Sequence, residues 1–211
     1  MSIADRIGEV LLYISRHANV GMDSAGKIRG LVNDELDEEG QAQALELRDY
    51  FEGIPLSGIY CDDLERTYQT VLPLAEAKAI EITRDIALRS WDVGPELEGK
   101  SIDAHAAEIA ELKQQPWKIP VGGQAWGIYQ DQILTAFDRY SNLAMAMPHP
   151  ILLCMHGSGI SVIACTLGAA DPSAEYEHTF LEPAGIAAVY LTRMDGLDMR
   201  ALKGGKGSED E

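Results

Sequence analysis

Two apolar runs in this chain each stop on a histidine. Leu11-Leu12-Tyr13-Ile14-Ser15 ends on Arg16-His17, and Ile151-Leu152-Leu153-Cys154-Met155 ends on His156-Gly157. A short continuous apolar run bounded by polar residues reads as a strand buried on both faces, which belongs in a parallel sheet covered by helices. In open sheets of that kind, ligands bind just beyond the carboxyl ends of the strands. Two such ends, one carrying an arginine beside its histidine, therefore place a small cationic, titratable site at one edge of the sheet.

The remaining pattern alternates strand and helix. After the strand at 10–16 comes a loop containing Gly21, Gly26 and Gly30, then a helix from near Asp37 with Ala44, Leu47 and Phe51 on one face, stopped by Gly53-Ile54-Pro55. Ile59-Tyr60-Cys61 is a short strand, and Asp62 or Asp63 suits the N-cap of a helix through Arg66, Val71 and Leu74, with Pro73 near a kink or end. A third strand falls at 80–84, and Gly94 to Gly99 is a loop. Ser101 caps a helix reaching about Gln114, and Pro116 and Pro120 break the chain before a long helix over 124–145. Its stripe of Trp126, Ile133, Phe137 and Tyr140 reads as core. Gly157-Ser158-Gly159 opens another helix, and 186–192 is a late strand. The pattern predicts an α/β fold, a three-layer α/β/α sandwich with a mostly parallel central sheet, as one domain over 1–202. A small helical cap is expected at about 95–145, and a disordered acidic tail over 203–211.

With 211 residues, 17 Lys and Arg against 34 Asp and Glu, and a net charge of −17, the chain lacks the basic face that nucleic acid or an anionic membrane surface requires. Any anion site must be a local cationic pocket in a repulsive surface. Cys61, Cys154 and Cys165 show no metal-ligand spacing and read as core residues of a cytoplasmic protein. No apolar run is long enough to span a bilayer, and the first residues lack a signal-peptide layout. Oligomeric state is not encoded in any of these features.

Arg66 falls in the first turn of a helix that directly follows a strand, so it meets the same sheet edge as Arg16-His17. A cation suits a helix N-terminus poorly unless an anion sits between them. His156 also meets a helix N-terminus, where the N–H groups of Gly157, Ser158 and Gly159 could hold oxyanions. Two arginines, two histidines and a helix N-terminus suit a phosphoryl group: arginine forks bind its oxygens and a neutral imidazole attacks phosphorus.

At these residues the chain resembles the histidine phosphatase superfamily, also called the phosphoglycerate mutase-like family. Arg16-His17-Ala18 resembles its Arg-His-Gly signature. Gly26-Lys27, Gly30, Leu36, Glu38 and Gly40 fall where its following loop has similar residues. Asp63-Leu64-Glu65-Arg66 with Gln69-Thr70, Gly122-Gly123-Gln124 and His156-Gly157 follow in family order. The resemblance spans about 10–190. It implies a metal-independent phosphatase without a cofactor, hydrolysing a small phosphate monoester through a phosphohistidine on His17. Arg16, Arg66 and His156 would bind the phosphoryl oxygens, with Asn19, Gly157 and Ser158 also placed against substrate.

The chain departs from the family pattern at three places. Ala18 replaces the signature glycine. Asn19-Val20 stands where the family has Glu-Thr. In Leu88-Arg89-Ser90-Trp91-Asp92, Ser90 occupies the position of the usual general-acid glutamate. A serine cannot protonate a leaving alkoxide near neutral pH, so Asp92 is the expected acid, with Glu96 and Glu98 behind it. Gln124 replaces a further carboxylate. His105 is expected to pack on its helix, His149 and His178 to be surface residues, and Asp62-Asp63 to cap a helix rather than bind a metal. Trp91, Trp117 and Trp126 could line a substrate cap or sit in the core. Two other activities fit the same fold: an impaired protein that holds a phosphorylated ligand, and a phosphoglycerate mutase-type phosphotransferase, the latter disfavoured by the short insert between Arg66 and His156.

Overall fold

The computed structural model describes residues 6–21, 26–170, 181–192 and 196–205. Six strands form one sheet: β1 (Val10–Arg16), β2 (Gly58–Cys61), β3 (Ile82–Arg84), β4 (Ile151–Met155), β5 (Leu181–Leu191) and β6 (Leu197–Gly205), in the order β3-β2-β4-β1-β5-β6. The first four pair in parallel, while β5 runs antiparallel to β1 and β6 antiparallel to β5. The helices are α1 (Glu38–Tyr50), α2 (Glu65–Lys78), α3 (Ile102–Gln114), α4 (Trp126–Ala146) and α5 (Gly157–Thr166).

Alternation along the central strands divides the core. Ile151, Leu153 and Met155 of β4, with Leu12 and Ile14 of β1, pack against α4 and α5. Leu152 and Cys154, with Tyr13, Ile59 and Cys61, pack against α1 and α2 through Leu47, Phe51, Val71 and Leu74. Successive strand residues point to opposite faces, so a run that is apolar at every position demands helices on both sides. Burying each of these side chains contributes about 1.5–3 kcal/mol.

Local rules place the helix starts. Asp37 accepts from Gly40 N at 2.7 Å to cap α1, and Ser101 accepts from Ala104 N to cap α3. Pro73 lies inside α2, which continues to Lys78 and ends on Ala79 in the left-handed conformation. The third strand is thereby shortened to Ile82–Arg84. β5 begins at Leu181 rather than 186, with a register irregularity between Leu181 and Ile186. β6 is an edge strand whose signal, Leu197, Met199 and Ala201 alternating with polar residues, is plain in the sequence. It carries 203–205 into the sheet, while 206–211 lie outside the described residues.

The stretch 95–145 is shared between two roles. α4 joins the sandwich layer, its Tyr129, Ile133 and Tyr140 buried with β1 and α5, and α3 packs on α4 through Ile109 and Leu112. Trp91 and Trp126 are core residues in edge contact, ring centroids 4.9 Å apart, while Trp117 is 71% exposed. Among the described residues, no helix is long and apolar enough to cross a membrane.

Candidate active site

The parallel pairing of β1 with β4, Arg16 opposite Met155, makes the two strands end side by side. His17 N donates to Met155 O at 3.0 Å, extending that pairing by one residue. The two imidazoles therefore emerge as neighbours, with ring centroids 5.2 Å apart. Both are buried, His17 at 8% and His156 at 2% exposure.

His17 Nδ1 donates to its neighbour's carbonyl, Ala18 O, at 2.8 Å. That bond puts the ring proton on Nδ1 and leaves the lone pair on Nε2. Burial, then Arg66, His156 and Arg16, hold the pKa of His17 well below the ordinary histidine value, so the ring is neutral near neutral pH. Arg16 Nη1 donates to Leu181 O at 3.1 Å, which ties the strand end to the start of β5.

Arg66 is fully buried near the start of α2. Its Nε donates to His156 Nδ1 at 3.3 Å, Nη1 to Val32 O at 2.5 Å and Nη2 to Gly30 O at 3.1 Å. Burial lowers its pKa to about 10, with Asp62 and Asp34 acting against that, so it stays charged. Arg66 thus reaches the histidines and clamps the loop at 30–32. The other side of that loop is held by Glu98, whose carboxylate accepts from Leu31 N at 2.6 Å. Arg29 pairs with Asp34 in the same loop.

Asp62, fully buried in the turn after β2, completes the cluster. Its Oδ2 lies 2.6 Å from His156 Nε2, and its Oδ1 accepts from Leu64 N at 3.1 Å and from the Thr67 hydroxyl. Burial pushes its pKa up, but His156, Thr67 and Leu64 outweigh that and keep it below the usual carboxylate range. For His156, burial and Arg66 prevail over Asp62, and the pKa lies below the ordinary histidine value. The expected capping role is only part of what Asp62 does. The N-cap residue of α2 is Leu64, with no side-chain cap, and one carboxylate oxygen is turned to His156. Sequence reading missed this contact, which joins residues 94 apart.

Ala18 fits without strain. Its φ is not positive, and it lies buried among Leu36, Ala44 and Ala184 while its N–H donates to Thr70 Oγ1 at 2.9 Å. Gly40 is needed close by, because a Cβ there would collide with Asn19 O.

The expected acid lines a cavity whose wall does not include the histidines or their arginines. Asp92 and Ser90 share the wall of a cavity of about 500 Å³ with Leu31, Ile86, Arg89 and Gln124, and none of its lining residues belongs to the histidine–arginine cluster. The link between the two is the 30–32 loop, which gives its carbonyls to Arg66 and Leu31 to the cavity. Asp92 Oδ1 accepts from Gly94 N at 3.0 Å, and Asp92 O accepts from Gln124 N at 2.8 Å. Arg89 grips Asp63 with both nitrogens, Nε at 2.6 Å and Nη2 at 2.5 Å.

Other candidates have other partners. Glu98 is committed to Leu31 N, and Glu96 is exposed. Asn19 N donates to Gln43 Oε1, and the Ser158 hydroxyl shares a hydrogen bond of 2.9 Å with Tyr129 OH. His105 Nδ1 bonds Ser101 O on its own helix, His149 is exposed, and His178 lies outside the described residues. Among the described residues, no group of three or more His, Cys, Asp and Glu is arranged to hold a metal ion.

Residues 12–197 match the sequence profile of the histidine phosphatase superfamily, branch 1. A curated relative from Salmonella typhi, "Probable phosphoglycerate mutase GpmB", is 26% identical over 162 residues, 74% of each chain. "Phosphoserine phosphatase 1" of Hydrogenobacter thermophilus is 35% identical over 85 residues, 40% of each chain. Among solved structures, a mycobacterial glucosyl-3-phosphoglycerate phosphatase superposes with a TM-score of 0.72 at 20% identity, covering 92% of this chain and 97% of that one. The chain belongs to the histidine phosphatase superfamily, branch 1.

Proposed function

We propose that this protein is a metal-independent phosphomonoesterase that works through a phosphohistidine on His17. The observation that carries the reading is the state of His17: Nδ1 is locked on Ala18 O, so a neutral imidazole keeps its lone pair on Nε2 beside Arg16, Arg66 and His156. In the first half-reaction Nε2 attacks phosphorus, the P–O bond to the substrate alcohol breaks, and the leaving oxygen takes a proton. In the second, water attacks the phosphohistidine, inorganic phosphate leaves and Nε2 recovers its lone pair. The arginines neutralise the oxyanions throughout.

Asp92 is the proton donor we assign, from its place beside Ser90 on the cavity wall. Asp92 is preferred to Glu98, whose carboxylate accepts from Leu31 N. The substrate alcohol would occupy that cavity, whose mixed lining suits a small organic group. The relatives' names include both mutase and phosphatase, and a hydrolase is favoured by the short insert between Arg66 and His156, part of which, α4, is packed into the core.

The test is hydrolysis of p-nitrophenyl phosphate in EDTA by wild type beside His17→Ala. Wild-type turnover, with an acid-labile phosphoenzyme that disappears in His17→Ala, is the expected result. Turnover unchanged in His17→Ala would overturn the reading. No wild-type turnover would favour the phospho-ligand-binding alternative.

A further inference from the structure

We propose that Asp62 is a positioning residue that lets His156 take up a proton when a tetrahedral dianion enters the site. This rests on the phosphate-binding reading of the cluster, and it concerns how that site matches its charge to its ligand.

Oδ2 of Asp62 at 2.6 Å fixes a proton on His156 Nε2, because a carboxylate only accepts there. The other nitrogen, Nδ1, is therefore the lone pair, and it receives Arg66 Nε–H at 3.3 Å. Asp62 is itself immobilised by Leu64 N and the Thr67 hydroxyl, so it cannot swing away. A serine or asparagine could make those two turn contacts; only a carboxylate presents a buried negative charge to His156.

The charged and titratable groups facing His156 come from several elements. Arg66 approaches from α2, Arg16 and His17 from the end of β1, and Asp62 from the turn after β2. Cys154 on β4 is a neutral thiol, its pKa pushed well up by burial. With both histidines neutral, Arg16, Arg66 and Asp62 give the cluster one net positive charge, one short of a phosphate dianion. A proton on Nδ1 supplies the second. Beside two arginines such a proton is unfavourable, and Asp62 is the group that offsets them. When the dianion arrives, a proton moves from solvent to Nδ1. His156 Nδ1–H and Arg66 Nε–H then both donate to one oxyanion, which takes the place of their mutual bond. No bond to phosphorus is involved in this step.

Sulfate, a tetrahedral dianion that does not titrate near neutral pH, is the probe. Calorimetry in buffers of different ionisation enthalpy is expected to show wild type taking up about one proton per sulfate bound at slightly alkaline pH. Ring-¹⁵N spectra should show His156 passing from neutral, with Nε2–H, to doubly protonated. In Asp62→Asn, sulfate affinity should fall about tenfold or more and the uptake disappear. The alkaline limb of kcat/KM for p-nitrophenyl phosphate should move to lower pH, because losing the carboxylate lowers the proton affinity of His156. Sulfate bound by wild type without proton uptake, or with His156 still neutral, overturns the proposal even if Asp62→Asn does not fold. So does uptake unchanged in Asp62→Asn, or sulfate that does not bind wild type at all. Absence of p-nitrophenyl phosphate turnover would count against the phosphatase reading alone, since the sulfate measurements need only the anion.

Discussion

At the ends of β1 and β4 the functional side chains are each held by a fixed partner: the His17 ring by its neighbour's carbonyl, Ala18 O, His156 by Asp62 from the turn after β2, and Arg66 by the 30–32 loop. Along 90–94 and 121–124, by contrast, backbone is held against backbone. Gln124 N donates to Asp92 O, and Gly94 and Gly123 have no room for a Cβ because each would meet the opposing chain. The first region fixes side chains and so restricts which residues can stand there. The second fixes the path of the chain, with the Trp91 indole tied to Gln124 O at 2.7 Å, and leaves Ser90 free to change while the path survives.

The largest effect separating the two regions should come from Arg66→Lys. A lysine cannot serve His156 Nδ1, Val32 O and Gly30 O together, and its point charge does not fork phosphate oxygens. The expected losses are about 10²–10³ in kcat/KM on any phosphate ester and about 3 kcal/mol in urea unfolding. A loss of activity confined to one class of leaving group would break the distinction between the histidine–arginine cluster, the floor of the site, and the cavity wall that carries Asp92.

Asp92→Asn probes the wall alone. A good leaving group scarcely needs a proton, so p-nitrophenyl phosphate turnover should change by less than about threefold, whereas an alkyl phosphate should lose about 10²-fold in kcat. Equal losses on both would place Asp92 in the floor's chemistry or remove it from catalysis as an acid. A smaller effect is expected from Gly123→Ala, whose Cβ would press on Gly94 N and Asp92 O. It should cost about 1–3 kcal/mol in stability and raise KM for alkyl phosphates while leaving the phosphohistidine burst intact.

The contrast also decides what could be read from the sequence. The strand ends were legible because an apolar run stopping on a polar residue fixes both burial and place, and two such runs gave His17 and His156. Arg66 was legible from its helix position; Asp92 was read from its spacing to Ser90, and the two line one cavity. Asp62 was read only as a cap. The turn contact is local and follows from residue spacing, whereas the His156 contact depends on β2 lying beside β4, which no local pattern reports. Likewise the spacing around 124–145 announced a helix with a buried stripe, but whether that stripe meets the sheet or a cap is settled by packing.

The smallest prediction is a two-step loss of stability on acidification. His17 and His156 both have depressed pKa values in the folded protein, so below about pH 6.5, where unfolded histidines gain protons, the unfolded state binds more protons and stability falls. Asp62, also depressed, contributes above about pH 4 and is lost only as its carboxylate is protonated further down. Urea midpoints followed against pH should resolve the two windows. His17→Gln should shrink the first step and leave the second. Asp62→Asn should remove the second and enlarge the first, because His156 without its carboxylate resists protonation more strongly. A first step unchanged in Asp62→Asn would mean that the two groups titrate independently, and that the floor is a set of separate contacts rather than one coupled unit.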